Sequence, residues 1–262
     1  MPDQASATST CPACFHDHEL QEMVYAVSED KRHPVCPECG YQYTDSPADT
    51  ESQAFSRLVS SPQELPQPKL SVEETRRRLP SIDYIEDDEI RLEVIELSRR
   101  APAYFWVEPA ANGDYHNELC RNQHGLWAHS LMVSTGVEYF SDSWIVQGRI
   151  DEDELDYARA AATLHDQRKQ GPHHAPEESS TSDHNLTMAD VVREESRLPE
   201  EVAIAVEEHM GPFYDGPAAE GEIGKLVHTA DMAASTNEYT ATIPAPAPEE
   251  LLELGIEESD LQ

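Results

Sequence analysis

The order of imidazoles and carboxylates along the chain constrains its fold more than any other feature: His129, the adjacent His165 and Asp166, His184, His209 and Asp231. Each falls at an end or on the inner stripe of a segment whose apolar residues recur at three- and four-residue steps, the spacing of one helix face. Leu126 to Phe140 carries His129 in line with Val133, Val137 and Phe140, and Leu155 to Asp166 carries Leu155, Ala158, Ala162 and His165. A further helix runs from His184 to Ser196, with Ser182 or Asp183 as its cap. Glu200 to Met210 aligns Val202, Val206 and His209, while Glu222 to Thr236 aligns Ile223, Val227, Asp231 and Ala234. An earlier helix, Asp87 to Arg100 with Ile90, Val94 and Leu97, stops before Pro102. A lone histidine on such a stripe is ordinarily a packed core residue. An inward aspartate is costly unless paired or metal-bound. Their repetition on several helices argues for one shared cage around one or two divalent metals, in a fold that is mainly α.

The charge balance bears on partners. Acidic residues number 52 against 18 basic, a formal net charge of −34, and only four of the basic residues are Lys. Such excess repels itself in dilute salt, whereas at molar salt the screening length shrinks to roughly 3 Å. The expectation is a protein adapted to a salt-rich cytosol. An acidic surface attracts nucleic acid poorly, so a phosphate-bearing substrate has to be held at a local site. No apolar run approaches the ~18 residues of a membrane span. Met1 to Thr10 lacks the basic start and apolar core of a secretory signal. A cytoplasmic location with no membrane partner is expected.

Four of the five cysteines form two pairs, Cys11-Pro-Ala-Cys14 and Cys36-Pro-Glu-Cys39, which suits thiolate metal ligation better than a disulfide framework. Two such turns, flanked by short strand-like segments with alternating Met23, Tyr25 and Val27, resemble a zinc ribbon in which four sulfurs hold one Zn²⁺. His16, His18 and His33 lie nearby, but four thiolates already complete a tetrahedral shell. A unit this small buries little core, so the metal supplies most of its folding energy. The expected division is therefore a β zinc ribbon over 1–45, a Ser/Pro/Gln/Glu-rich linker over 46–81, a helical domain over 82–243 and an acidic Pro/Ala-rich tail over 244–262. Arg76-Arg77-Arg78 reads as a solvated turn balancing Glu73 and Glu74, and Tyr104, Phe105 and Trp106 read as core.

The segments "GLWAHS" (125–130), "LHDQRK" (164–169), "SDHNL" (182–186), "VEEHMG" (206–211) and "VHTADMA" (227–233) resemble the motifs of HD-domain metal-dependent phosphohydrolases. Within that superfamily they are most similar to the branch with bacterial HD-type 3′–5′ exoribonucleases. The lead-in over 104–125 is also similar to the segment before the first motif histidine in related viral and prokaryotic HD proteins. The resemblance implies an HD-domain helical bundle in which His129, His165, Asp166 and Asp231 hold a first metal. Asp166 would bridge to a second metal held by His184 and His209. Mixed imidazole and carboxylate ligands suit Mn²⁺, Fe²⁺, Co²⁺ or Ni²⁺. Water on such a centre deprotonates near neutral pH and attacks phosphorus, with Asp166 central to catalysis and Lys169, from the HD-x-x-K pattern, neutralising phosphoryl charge. Gln167-Arg168 departs from the usual apolar-Gly pair, and Met210 stands where the exonuclease branch carries a second histidine. His124 is expected to pack or hydrogen-bond locally, His173 and His174 to be solvated in the loop over 171–176, and His228 to orient Asp231. The implied activity is cleavage of a phosphoester of a nucleotide or single-stranded nucleic acid, with the ribbon presenting a strand end or recruiting a protein partner. The alternative is a non-catalytic zinc-ribbon adaptor whose helical domain binds metal or nucleotide without turnover.

Overall fold

The computed structural model describes residues 70–110, 116–173, 182–212 and 217–237, together with 8–11, 13–14, 16–19, 24–28, 31–39, 41 and 57–59 nearer the N-terminus. The tail over 244–262, Asn112-Gly113-Asp114 and His174 lie outside the described residues. Strands β1 (Thr8–Thr10) and β2 (Asp17–Glu19) pair antiparallel on either side of the first cysteine turn. Strand β3 (Val24–Ser28) pairs antiparallel with β4 (Lys31–Val35), which leads straight into the second turn, and parallel with β5 (Arg57–Val59). The alternation at Tyr25 and Val27 thus falls within a strand.

Seven helices follow among the described residues. Helix α1 (Val72–Arg78) is capped by Ser71, whose Oγ accepts from the Glu74 amide at 3.0 Å, with Glu73 and Glu74 in its first turn and Arg76 to Arg78 in its last. That polarity matches the helix dipole. Helix α2 (Asp88–Ser98) is capped by Asp87, which accepts from the amides of Glu89 and Ile90. Helix α3 (Gly125–Val146) continues past Phe140, where the sequence suggests a stop, because Trp144 extends the buried stripe, and the Ser141 hydroxyl is satisfied by the Glu138 carbonyl. Helix α4 (Glu152–Leu164) starts before Leu155 because Asp151 and Glu154 form a reciprocal capping box. Helices α5 (His184–Glu195), α6 (Glu200–Glu208) and α7 (Glu222–Ala234) complete the bundle.

The core lies where these helices meet. Leu126, Leu131, Met132 and Val133 of α3 are fully buried, as are Ala158, Ala161 and Ala162 of α4, Val202 and Val206 of α6, and Leu226, Val227 and Ala230 of α7. Gly136 lets α3 and α7 approach closely: a Cβ there would stand 3.0 Å from the Ala230 Cβ. Among the described residues no helix is long and apolar enough to cross a membrane.

Two readings of the segment before α2 change. Residues 72–84 are helix and 3₁₀ turn, so ordered structure begins within the stretch expected to connect the two parts. Arg76 and Arg77 are surface residues paired with Asp83 and Glu74, but Arg78 is fully buried. Its Nε donates to Glu74 Oε1 at 2.7 Å and its Nη1 to the Ala13 carbonyl of the first cysteine turn at 2.6 Å. The guanidinium also lies 5.0 Å from the Trp106 ring centre and 5.8 Å from that of Trp127. A cation so placed is solvated by protein in place of water, which a local sequence window cannot reveal. Tyr104, Phe105 and Trp106 are buried, as expected of core residues.

Candidate metal centre

The six residues arrive from five helices. His129 sits in the second turn of α3, His165 caps the C-terminal end of α4 with Asp166 next, His184 opens α5, His209 caps the end of α6, and Asp231 lies on α7. Placing four of the six at helix ends lets separate helices aim at one point without crowding their backbones. All six are buried.

Asp166 is the hub. His184 Nε2 stands 3.2 Å and His209 Nε2 3.6 Å from its Oδ1. On the other oxygen, Oδ2, stand His165 Nε2 at 3.5 Å and His129 Nε2 at 3.7 Å. His129 Nε2 also lies 3.0 Å from Asp231 Oδ1. Donor atoms of His129, His165 and Asp166 fall within 4.8 Å of one another, as do those of Asp166, His184 and His209.

Local hydrogen bonds fix how two of the rings face the centre. Nδ1 of His165 lies 2.7 Å from the Ala162 carbonyl and Nδ1 of His209 lies 2.6 Å from the Val206 carbonyl. A carbonyl can only accept, so each Nδ1 carries the hydrogen and each neutral ring turns an Nε2 lone pair inward. Those two nitrogens and Asp166 Oδ1 are buried without a well-aligned hydrogen bond among the described residues. Lone pairs facing a carboxylate repel unless a cation lies between them, so the donor set fits divalent metal.

Electrostatics agree with that polarity at the carboxylates and at His165, and oppose it at His209. Burial opposes ionisation of both carboxylates, yet Lys169 and His165 hold Asp166, and His129 and His165 hold Asp231, below the ordinary carboxylate range. Burial pushes His165 down to about 4 despite Asp166. His209 is raised: burial opposes the shift, but Asp166 and then Asp231 outweigh it.

Residues 126–238 match the family model of the HD domain, which spans every one of these six side chains. That stretch is an HD domain. That family is in general one of metal-dependent phosphohydrolases. No curated protein and no solved structure matches the chain.

Within the HD domain, the unusual pair after Asp166 turns away from the centre. Gln167 Nε2 donates to Ser98 Oγ at 2.9 Å and to the Thr163 carbonyl at 3.1 Å, while Arg168 Nη2 reaches the Arg100 carbonyl at 3.3 Å. Lys169 alone of the three turns inward, with Nζ 2.6 Å from Asp166 Oδ2. Met210 is half-buried in the turn after α6. His124 packs edge-on against Trp127 and bonds the Trp106 carbonyl through Nδ1, in keeping with a packing role. It takes the left-handed backbone conformation (φ 65°) just before α3. His228 braces the His209 carbonyl through Nδ1 at 2.6 Å, so it supports a neighbour of Asp231 instead of Asp231 itself.

Sequence reasoning missed His116. It is buried, its ring centre lies 4.7 Å from that of His129, its Nε2 is 3.5 Å from Lys169 Nζ and its Nδ1 is 3.1 Å from Ser235 Oγ. Burial, then His129 and Lys169, push it down to about 2, so it is neutral. Its only sequence signal was membership of the lead-in over 104–125, which has no helical periodicity to mark an inward position.

The second cluster lies apart from the HD centre. Cys11, Cys14, Cys36 and Cys39 bring four sulfurs within 4.8 Å of one another. Cys11 and Cys39 Sγ are 3.7 Å apart and Cys14 and Cys36 Sγ are 3.6 Å apart. A zinc tetrahedron with Zn–S of about 2.3 Å has edges of about 3.8 Å, while a disulfide needs about 2.05 Å. The spacing fits a shared ion and excludes a disulfide. Neighbouring sulfurs lower the Cys14 thiol and raise those of Cys36 and Cys39. His16 is exposed, and the Cys14 sulfur raises its imidazole. The side chains of His18 and His33 lie outside the described residues.

Proposed function

We propose that the protein is a metal-dependent phosphohydrolase that cleaves a phosphoester of a nucleotide or of single-stranded nucleic acid. The observation that carries this reading is the convergence of four buried imidazoles and Asp231 around Asp166, with His165 Nε2 and His209 Nε2 turned inward without a well-aligned hydrogen bond among the described residues. His129, His165, Asp166 and Asp231 would hold one divalent ion, and Asp166, His184 and His209 a second. Mn²⁺, Fe²⁺, Co²⁺ or Ni²⁺ suits such ligands better than Mg²⁺. When bound, ions of this kind acidify water and polarise phosphoryl oxygens.

The chain's own residues do the rest. Asp166 offers one oxygen to each half of the cage, so its carboxylate sets the separation of the two halves. The bonds from His165 and His209 to carbonyls on their own helices hold those rings in register. Lys169 places a buried ammonium beside Asp166 Oδ2, where it can meet negative charge as it builds on a phosphoryl group. That Gln167 and Arg168 turn outward leaves this arrangement undisturbed, which favours turnover over the adaptor reading.

The four thiolates would hold Zn²⁺, and the ribbon could present a strand end or bind a protein partner. The net charge of −34 supports a salt-rich cytosol as the working environment. Two assays test the whole reading at molar KCl with Mn²⁺: hydrolysis of a short single strand and of a nucleoside monophosphate. Whichever is cleaved names the class. Failure on both, with metal demonstrably bound in the helical domain, overturns the catalytic reading. Raising KCl from 0.1 to 2 M should raise the unfolding temperature, and a fall would remove the salt-adapted reading.

A further inference from the structure

We infer that His116 is a positioning residue for Lys169, holding its ammonium between the Asp166 carboxylate and a neutral acceptor. The chemistry of the contacts fixes the direction of each bond. An ammonium can only donate, so His116 Nε2, 3.5 Å from Lys169 Nζ, is the accepting lone pair. The other ring nitrogen, Nδ1, then carries the hydrogen and donates to Ser235 Oγ at 3.1 Å. A chain of polar contacts therefore runs from Ser235 at the end of α7 through His116 and Lys169 to Asp166.

His116 is held firmly enough for this role although it lies on irregular backbone. Its carbonyl accepts from Arg121 Nε at 2.6 Å. The next residue, Asn117, donates to the Thr236 carbonyl at 2.9 Å, and the Glu118 amide donates to Asn237 Oδ1 at 3.0 Å. These bonds tie the lead-in segment to the end of α7, while the ring rests edge-on against His129. The ammonium stands 2.6 Å from Asp166 Oδ2, its dominant attraction. His116 Nε2 offers it a second acceptor that adds no negative charge.

The inference rests on the phosphohydrolase reading for the purpose of Lys169, but the contact itself can be tested by binding. Inorganic phosphate is titrated calorimetrically into the full chain loaded with Zn²⁺ and Mn²⁺, with metal content measured for each variant. Lys169→Ala should weaken phosphate binding most. His116→Ala should weaken it about five- to tenfold, the range for losing one hydrogen bond to a charged group that is long rather than ideal. His116→Gln, which keeps one acceptor and one donor, should bind within about twofold of wild type. In the Lys169→Ala background, His116→Ala should add nothing. Additive losses, a Gln variant as weak as the Ala variant, or loss of Mn²⁺ in His116→Ala would each overturn the inference while leaving the phosphohydrolase reading standing. A wild type that binds metal but neither binds phosphate nor cleaves a phosphoester sinks both together.

Discussion

The sulfurs of Cys11, Cys14, Cys36 and Cys39 come from two short turns, each with its ligands three residues apart and each set by local backbone bonds such as Cys11 N to the His16 carbonyl and Cys36 N to the Tyr41 carbonyl. The imidazoles and carboxylates of the HD centre come from five helices, and the His129–Asp231 pair joins residues 102 apart in sequence. In a unit as small as the first, a bound ion supplies most of the folding energy. In the second, packed helices bring the donors together and hold two aspartates in a buried place. A donor cluster can therefore be set by local turns or by a tertiary core, and this chain contains one of each.

The sharpest way to break this contrast is Asp166→Ala. The HD centre should lose its metal, and any phosphoester turnover should fall at least about a thousandfold, the upper end for one electrostatic stabiliser. Helical content and the ribbon's zinc should be unchanged by circular dichroism and metal analysis. If the helices melted with the metal, the HD core would not be preorganised. The converse variant replaces Cys11 and Cys36 with Ser: about one zinc per chain should disappear while metal at the HD centre stays. An unchanged zinc count would remove the ribbon from the description.

A subtler test concerns the joint between the two regions. Arg78 connects the first cysteine turn to the aromatic wall of Trp106 and Trp127, and the Trp127 indole returns a bond to the Arg78 carbonyl at 2.8 Å. Arg78→Ala should cost about 2–3 kcal/mol in urea unfolding, below the full cost of breaking a buried ion pair because Glu74 is part-exposed. A change within about 0.5 kcal/mol would mean that the joint carries no stability.

The smallest expected effect is on pH dependence in the metal-free chain. His116 and His165 take up protons less readily folded than unfolded, with folded values of about 2 and about 4 against an ordinary 6.5. The unfolded chain therefore binds more protons below 6.5, and stability should fall as pH drops from 6.5 toward 4. The raised value of His209 works the other way, adding stability below 6.5, but it is one group against two. Thermal melts across that window check the sign. Stability that rises on acidification would show that His209 dominates the centre.

Much of the HD centre was legible because helical periodicity marks which side chains point inward, and charged or imidazole groups on an inward stripe demand a partner. Asp166 and His184 stood at the ends of such segments, whereas His129, His165, His209 and Asp231 announced themselves in this way. His116 did not, since it sits on irregular backbone where no period distinguishes inside from outside. Arg78 was read as solvated because its neighbours Arg76 and Arg77 are, and nothing local separates a buried cation from two exposed ones. The helix limits were read short at two places for a related reason: Asp151 caps α4 through a capping box and Ser141 lies inside α3, and polar residues of these kinds ordinarily suggest a break.

The amino-acid order by itself determined the donor types, their helical registers and the two thiolate turns, since each depends on spacings of a few residues and on backbone periods common to all chains. Only the tertiary structure decided that Lys169 faces Asp166 while Gln167 and Arg168 turn away, that His116 joins Lys169, and that Arg78 fastens the first cysteine turn to Trp106 and Trp127. Those outcomes depend on which surfaces meet when helices and strands pack. That is settled by the summed burial and hydrogen bonding of the whole core, which no short segment contains.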